Sequence, residues 1–446
     1  MRLWIESAYQ TLADAGAETP GDAVRTFTTE DQFIGVLVGG TMIGGDAAGA
    51  LATRAVDLLA QGMTLDDGIE TLLATLPQDL HVPLAMIQVG RSSVAGQRSA
   101  SLVECDAPPL FMARGGRLVL LPVVEEETHG RLIRRCDFEL RDGDHLALVS
   151  EGYIHASGWD RRFGWRDIAV SIRRLTETRC DAEQLAGALA RLTNQRISES
   201  ANRKSAIRNP QSAISILALF VRPMRTATVW SGPPSVPPAA AGGRERGMLE
   251  RLMAEEDMRI VCGDTTAEIA ARLLGAELVM APPPEEGWTE VPPVSRMVGP
   301  DGREPVALVT EGVVTMRVAR ERLAEAKRLR DLAGRDDGAS RLARLLLTAD
   351  KVRFLVGLAV NPAQTERDGT PLRKAALEKL VEDLKARGKI VALEYFLPLE
   401  VARLPCYHVV VTIDPATSRS AGGYLICQQE ISTTTAPRTL LSGTVG

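Results

Sequence analysis

Cysteine is scarce in this sequence, and the cysteines stand far apart. The 446 residues contain six cysteines, and no two of them form a C-x-x-C pair. Structural zinc sites and thioredoxin-like redox motifs are recognised by such pairs, so neither is indicated. Scattered cysteines are typical of proteins that work in a reducing compartment.

An excess of positive charge and long apolar runs are also missing. The chain has 52 Lys and Arg against 57 Asp and Glu, for a formal net charge of −5. It therefore lacks the basic field that nucleic acid or an anionic membrane would need, and we expect neither as a partner. No run approaches the roughly 18 apolar residues that span a bilayer. The N-terminal residues lack the apolar core of a signal peptide, so we expect a cytoplasmic protein.

The length indicates more than one domain, because a single ordinary core does not hold 446 residues. Residues 226–243 are rich in Pro and Gly, and we predict that they form a linker. This places a first domain at 1–225 and a second at 244–396. Residues 397–446 remain as a tail, which we expect to be partly disordered because its end is rich in Ser and Thr and nearly uncharged.

The two domains differ in their strand and helix patterns. In the first, short apolar runs such as Leu84 to Val89 and Ser101 to Cys105 are joined by turn residues, which predicts hairpins and a mostly antiparallel sheet. Helical patterns stand between these strands, so the first domain is predicted to be α+β. In the second, strands and helices alternate, which predicts a smaller α/β domain with a partly parallel sheet.

Capping residues predict where three helices begin. Asp46 and Thr64 each precede a helical pattern of apolar residues, and we interpret both as N-caps. Thr265 to Glu268 reads as a capping box. The turn Cys262 to Thr266 could also bind an anion at a helix N-terminus, but ordinary capping is the better interpretation.

Three local motifs at strand ends point to a family. Gly21-Asp22 follows a short N-terminal strand, Gly39-Gly40 closes an apolar strand, and Ser150-Glu151-Gly152 closes a later one. In this order they resemble the PPM-type metal-dependent Ser/Thr protein phosphatases, in the SpoIIE-like branch. The resemblance covers about 1–225 and continues through Phe396, because some SpoIIE-like proteins have a similar C-terminal extension.

The resemblance implies a fold and a chemistry. The fold is an α-β-β-α sandwich, in which two mostly antiparallel sheets are flanked by helices. The family holds two Mn²⁺ or Mg²⁺ ions between the sheets, and a metal-bound water attacks the phosphate. Hard ions prefer oxygen ligands, so the family builds this site from aspartates.

Compared with the family, this chain has lost most of those aspartates. Asp22 matches the first ligand, and Glu151 stands where the family has the Asp of Ser-Asp-Gly. Gly39 replaces the central Asp, and Ser212-Ala213 replace the late Asp-Asp pair. The candidate metal ligands are therefore Asp22 and Glu151. Two carboxylates are too few to offset the repulsion between two divalent ions, so we expect one weakly bound Mn²⁺ or Mg²⁺ or none.

Other candidate residues have simpler interpretations. Asp46 could compensate as a ligand, but a helix cap is the favoured interpretation. His155 resembles a histidine usual in the branch, and we interpret it as a packing residue. No catalytic or cofactor-binding residue is assigned from the sequence.

Two functions remain open. The favoured one is a SpoIIE-like phosphatase homologue with weak or lost catalysis, a pseudophosphatase that binds a phosphoprotein or protein partner in bacterial signalling. The alternative is an active Mn²⁺- or Mg²⁺-dependent phosphoserine/phosphothreonine phosphatase that uses metal-bound water.

Overall fold

The structure, a computed structural model, divides the chain into two compact units, Met1–Met224 and Arg225–Gly446. It describes residues 2–12, 21–40, 42–77, 80–155, 161–202, 213–234, 238–254, 257–280, 291–326, 328–359, 372–396 and 410–412. Among these, no helix has the length and apolar content that crossing a membrane requires. Apart from residues 410–412, the predicted tail over 397–446 lies outside the described residues.

The first unit contains eleven strands and five helices within its described residues. The strands are β1 (Leu3–Leu12), β2 (Ala23–Thr28), β3 (Phe33–Val38), β4 (Leu84–Arg91), β5 (Gln97–Cys105), β6 (Phe111–Arg114), β7 (Arg117–Val119), β8 (Val124–Thr128), β9 (Arg131–Arg141), β10 (His145–Val149) and β11 (Ile214–Pro223). The helices are α1 (Gly45–Ala60), α2 (Leu65–Leu73), α3 (Glu151–His155), α4 (Arg161–Thr176) and α5 (Ala182–Asn202).

These strands form two antiparallel sheets that pack face to face. One sheet has the order β1-β11-β10-β6-β7, and the other has the order β2-β3-β4-β5-β9-β8. Apolar side chains from both sheets, including Phe33 and Leu217, form the core between them. Helices α1 and α2 cover the outer face of the six-stranded sheet, and α3, α4 and α5 cover that of the five-stranded sheet. The predicted α+β fold, an α-β-β-α sandwich of mostly antiparallel sheets, is confirmed.

Local sequence signals explain one helix start in this unit and fail at another. Thr64 caps α2, because its side chain accepts a hydrogen bond from the N–H of Asp67. Asp46 does not cap α1, and that prediction is wrong. The N-cap is Gly44, in a left-handed conformation that favours glycine, and Asp46 lies in the first helical turn.

The second unit alternates strands and helices. Its described strands are β12 (Thr226–Ser231), β13 (Met258–Cys262), β14 (Glu277–Met280), β15 (Ser295–Val298), β16 (Leu308–Thr310), β17 (Lys351–Gly357), β18 (Ile390–Phe396) and β19 (Val410–Thr412). The helices are α6 (Pro238–Met253), α7 (Asp264–Leu274), α8 (Val313–Glu325), α9 (Gly338–Thr348) and α10 (Leu372–Ala386), with a 3₁₀ turn at Leu329–Leu332.

Its eight strands form one sheet with the order β14-β15-β16-β13-β12-β17-β18-β19. The five central strands, from β16 to β18, are parallel, and the outer pairings are antiparallel. Helices α8, α9 and α10 pack on one face, and α6 and α7 pack on the other. This matches the predicted smaller α/β domain with a partly parallel sheet.

The structure differs from the sequence expectation at residues 226–243, which we predicted to be a linker. Thr226–Ser231 form the central strand β12, and α6 begins at Pro238. A proline fits the first helical position, because the N–H that it lacks has no intrahelical partner there. The Pro-rich stretch therefore connects strand β12 to helix α6 within the second unit.

The predicted capping box at Thr265 is also wrong. Helix α7 begins at Asp264, one residue earlier, and its N-cap is Gly263, which makes no side-chain cap. The hydroxyl of Thr266 instead accepts a hydrogen bond from the N–H of Gly232 at 3.0 Å. Thr266, which lies inside the predicted capping box, thus binds the backbone at the end of the neighbouring strand β12.

Candidate functional site

The first unit brings the predicted site motifs together at one end of the sandwich. Asp22 immediately precedes β2, and Gly39-Gly40 immediately follow β3. The two strands pair with Ala23 opposite Val38, so these motifs are neighbours in space. Oδ1 of Asp22 accepts a hydrogen bond from the N–H of Gly40 at 3.1 Å.

The backbone around Gly39 and Gly40 is closely packed. A Cβ at Gly40 would overlap the carbonyl oxygen of Gly21, so no side chain fits there. A Cβ at Gly39 would lie 3.2 Å from ring atoms of Pro83, whose carbonyl oxygen accepts a hydrogen bond from the Gly39 N–H. The ring of Pro83 therefore lies in the space that a side chain at Gly39, such as the family's aspartate, would enter.

The five-stranded sheet contributes Ser150 and the start of β11 to the same place. The Ser150 hydroxyl accepts a hydrogen bond from the N–H of Ser215 at 2.9 Å, and the Ser150 N–H donates to the Ser215 carbonyl oxygen at 2.9 Å. A Cβ at Gly21 would lie 3.4 Å from the Cβ of Ala213, so the ends of the two sheets meet here. We call Asp22, Gly40, Ser150, Ala213 and Ser215 the strand-end site.

Asp22 is the buried carboxylate of this site. Its residue is 6% exposed, and burial, the main influence, raises the pKa of its carboxyl group. The Gly40 N–H and the nearby hydroxyls of Ser150 and Ser215 oppose that increase in the pKa. Oδ2 of Asp22 has no hydrogen-bond partner among the described residues. The two hydroxyls therefore lie near this oxygen without the geometry of a hydrogen bond. One oxygen of Asp22 is thus held by the backbone, and the other is buried without a donor.

Glu151, the second candidate ligand, faces a different set of groups. It is the first residue of α3, its side chain is 38% exposed, and its Oε2 lies 3.5 Å from Nε2 of His81. The other ring nitrogen of His81 lies 3.5 Å from Oδ2 of Asp106, which also lies 3.5 Å from Nη1 of Arg131. Glu151 is not among the described groups that shift the pKa of Asp22.

These residues do not fit a binuclear metal centre. Within the described part of the chain, no group of three or more His, Cys, Asp or Glu side chains could hold an ion. The groups that surround Asp22 are glycine backbone, serine hydroxyls and alanine, which bring no charge to offset two divalent ions. That Asp22 and Glu151 are metal ligands stays a prediction.

Several positions lie outside what the structure describes or were missed from sequence. Ser212 and the preceding residues 203–211 lie outside the described residues, as does the side chain of His155.

The hydrogen bonds between Ser150 and Ser215 were not predicted from the sequence, because 65 residues separate the two and only the pairing of β10 with β11 brings them together. The His81–Glu151 contact had no signal in the sequence, since it joins a loop to the start of α3.

Comparison with known proteins finds matches among solved structures, all at low sequence identity. No family model and no curated protein sequence matches the chain. Among solved structures, the phosphatase domain of SpoIIE from Bacillus subtilis matches at 13% identity and TM-score 0.37, covering 50% of this chain and 93% of that one. The RsbU and RsbW domains of a Mycobacterium tuberculosis protein match at 16% identity and TM-score 0.36, covering 60% and 72%.

A further match is the catalytic domain of the Ser/Thr phosphatase PstP in complex with two manganese ions, at 13% identity and TM-score 0.31, covering 50% of this chain and 100% of that one. The matched structures include PP2C-type domains, which is another name for the PPM type that the sequence motifs resemble.

Proposed function

We propose that this protein is a SpoIIE-like pseudophosphatase, which uses the sandwich of its first unit as a regulatory module that binds a phosphoprotein or another protein partner in the bacterial cytoplasm. The observation that supports this most directly is the set of groups around Asp22. Gly40, Ser150, Ala213 and Ser215 meet at the position where the resembled family gathers its aspartates.

The electrostatics of the strand-end site support this proposal. A centre with two divalent ions needs several ionised carboxylates close together, and they must be hydrated or bound to metal when ionised. Asp22 is instead a single buried carboxylate, and its described neighbours in the strand-end site are backbone, hydroxyl groups and alanine. The closed backbone at Gly40 leaves no room for an added side chain.

The test measures metal binding and hydrolysis on the full chain. We expect no stoichiometric heat when MnCl₂ is titrated to millimolar concentration by calorimetry. We also expect no hydrolysis of p-nitrophenyl phosphate or a phosphoserine peptide above the rate of a heat-denatured sample with excess Mn²⁺. Hydrolysis that depends on Mn²⁺ and disappears in Asp22→Asn would instead establish the alternative, an active phosphatase.

Asp22→Asn is the informative variant because it keeps the size of the side chain and an oxygen for the Gly40 N–H. Asp57→Asn is the matched control, since Asp57 is exposed on α1. Hydrolysis that both variants retain would come from a contaminating enzyme and leave the proposal standing. Hydrolysis that only Asp57→Asn retains would overturn it.

A further inference from the structure

The second unit has the topology that places ligands at one edge of a parallel sheet. From β12 the chain adds β13 and then β16 on one side, and it returns to add β17 and then β18 on the other. The direction of strand addition therefore reverses beside β12. In open α/β sheets, ligands bind in the crevice outside the carboxyl ends of the strands at such a reversal.

Glycines stand at the carboxyl ends of four neighbouring strands. Gly232 and Gly263 directly follow β12 and β13, Gly312 follows β16 by two residues, and Gly357 ends β17. The first three have positive φ angles of 84°, 125° and 130°. A Cβ at Gly357 would overlap the carbonyl oxygens of Gly232 and Pro233. Each of the four glycines faces other protein atoms at close range, so the absence of a side chain lets these strand ends pack together. We call the region outside these four strand ends the switch-point crevice.

A cation lies at the centre of this crevice. Arg373 is the second residue of α10, and a Cβ at Gly232 would overlap its guanidinium group. Burial lowers the pKa of Arg373, while the charge of Glu311 opposes that effect. Arg373 makes no hydrogen bond or salt bridge with the described residues, which leaves the donors of its guanidinium for an anion.

Two carboxylates border the same crevice. Glu311 directly follows β16, and Asp264 is the first residue of α7 after β13. Burial, mainly, and the charge of Asp264 raise the pKa of Glu311, while Arg373 lowers it, so the three groups share one electrostatic environment. An acceptor after the second strand of such a sheet is placed to bind the hydroxyls of a ribose. Oε2 of Glu311 accepts a hydrogen bond from the Val314 N–H at 3.2 Å, and its carboxylate can accept further hydrogen bonds. A bare polyanion would be repelled by these carboxylates, whereas a ligand with hydroxyl donors can bind to them.

A buried hydroxyl marks the strand at which the order reverses. Ser231 is the last residue of β12, it is 0% exposed, and its Oγ has no hydrogen-bond partner among the described residues. Its neighbours in register are Cys262 and Val356, which offer it no strong acceptor. Buried hydroxyls in proteins are nearly always hydrogen-bonded, so the one at this edge is available to donate to a bound group.

We propose that the switch-point crevice binds a mononucleotide through its ribose phosphate. The phosphate lies against Arg373 and accepts a hydrogen bond from Ser231. The ribose hydroxyls donate to Asp264 and Glu311. The residues that carry this proposal all belong to the second unit, so it is independent of the pseudophosphatase assignment.

Calorimetry on the full chain tests the proposal with four probes: adenosine 5′-monophosphate, ribose 5-phosphate, adenosine and inorganic phosphate. We expect adenosine 5′-monophosphate to bind, and adenosine and inorganic phosphate to bind at least about tenfold more weakly, because each satisfies only one half of the site. Ribose 5-phosphate that binds as tightly as the nucleotide also supports the proposal. The proposal is overturned if neither sugar phosphate binds, or if inorganic phosphate binds as tightly as both.

Variants then locate the site. Arg373→Ala and Asp264→Asn should each weaken binding of adenosine 5′-monophosphate about tenfold or more. Lys379→Ala, which removes an exposed positive charge from the same helix, should leave it unchanged. Ser231→Ala removes an unpartnered buried hydroxyl, so it should keep the thermal midpoint of the free protein and still weaken binding. Binding that survives both Arg373→Ala and Asp264→Asn would contradict the assignment.

Discussion

The backbone N–H of Gly40 donates a hydrogen bond to Oδ1 of Asp22 at 3.1 Å, and this contact joins the end of β3 to the start of β2. It shows two things about the strand-end site. The glycine motif is held too closely to Gly21 to accept a side chain. Oδ1 of Asp22 accepts a hydrogen bond from the backbone, while Oδ2 has no partner among the described residues.

Gly40→Ala should destabilise the protein strongly. Its Cβ would overlap the carbonyl oxygen of Gly21, so the backbone of one strand end must move. We expect a loss of about 3 kcal/mol or more in the free energy of unfolding, seen as a lower thermal midpoint in calorimetry. Gly90→Ala is the control, because a Cβ there meets no atom within 4 Å. Equal midpoints for the two variants would show that the strand ends are not packed as described.

Asp22→Asn should change how stability depends on pH. The folded-state pKa of Asp22 is raised by burial above its ordinary value of 3.8, so between these two values the folded state holds a proton that the unfolded state releases. The stability of the wild type therefore falls as the pH rises from 3.8 through the folded-state pKa, and Asp22→Asn lacks this fall. The midpoint of Asp22→Asn minus that of the wild type should increase with pH. The exposed Asp57→Asn should show no such trend.

A second buried carboxylate should give a similar trend at higher pH. Glu104 is buried in β5, its Oε1 accepts a hydrogen bond from the Leu110 N–H at 2.6 Å, and its Oε2 lies 3.0 Å from Nη2 of Arg134. Burial outweighs the influence of Arg134 and raises the pKa of Glu104 from 4.5 to about 7. Stability linked to this group is fully present below pH 4.5 and is lost as the pH rises to about 7.

Glu104→Gln should remove that part of the pH dependence, because the amide oxygen can still accept from the Leu110 N–H. Thermal midpoints measured between pH 4 and 8 check this, with the exposed Glu125→Gln on β8 as control. If Glu104→Gln and the wild type keep the same slope across that interval, the carboxyl group is not protonated in the folded state.

Two bidentate Arg–Asp pairs of unequal burial provide a matched comparison. Asp144 is 0% exposed and accepts from Nε and Nη2 of Arg114 at 2.8 and 2.7 Å, directly before β10. Asp31 accepts from Nε and Nη2 of Arg91 at 2.7 Å each, but both side chains are largely exposed. Asp144→Asn should cost about 3 kcal/mol and Asp31→Asn less than about 1 kcal/mol in chemical denaturation. Similar costs would show that burial does not decide the strength of these pairs.

The sequence predicted the sandwich well because its signals there are local. The hairpin of β4 and β5 follows from apolar runs around a polar turn, and the Thr64 cap follows from one side chain and one N–H three residues away. Apolar residues recur at helical spacing from Met316 to Ala333, which by itself predicts one continuous helix. The structure instead ends α8 at Glu325, and a separate 3₁₀ turn follows at Leu329–Leu332, because helical spacing of apolar residues does not exclude a break.

The site was less predictable, because its partners are distant in the chain. Asp22 and Gly40 were placed by motif, but the closed backbone at Gly40 depends on the carbonyl group of Gly21, and the pair Ser150–Ser215 depends on strand register. The interaction of Glu151 with His81 joins the start of α3 to a loop, and no periodic pattern relates the two. Packing and tertiary hydrogen bonds decide these features.

The stoichiometry of Mn²⁺ binding tests the central claim most directly, because the proposed function depends on the absence of a binuclear centre. Isothermal titration of the full chain at pH 7 should give no saturable binding of two ions, and Asp22→Ala should give the same trace as the wild type. Two Mn²⁺ ions bound per chain, with that binding lost in Asp22→Ala and kept in Asp57→Asn, would contradict the account.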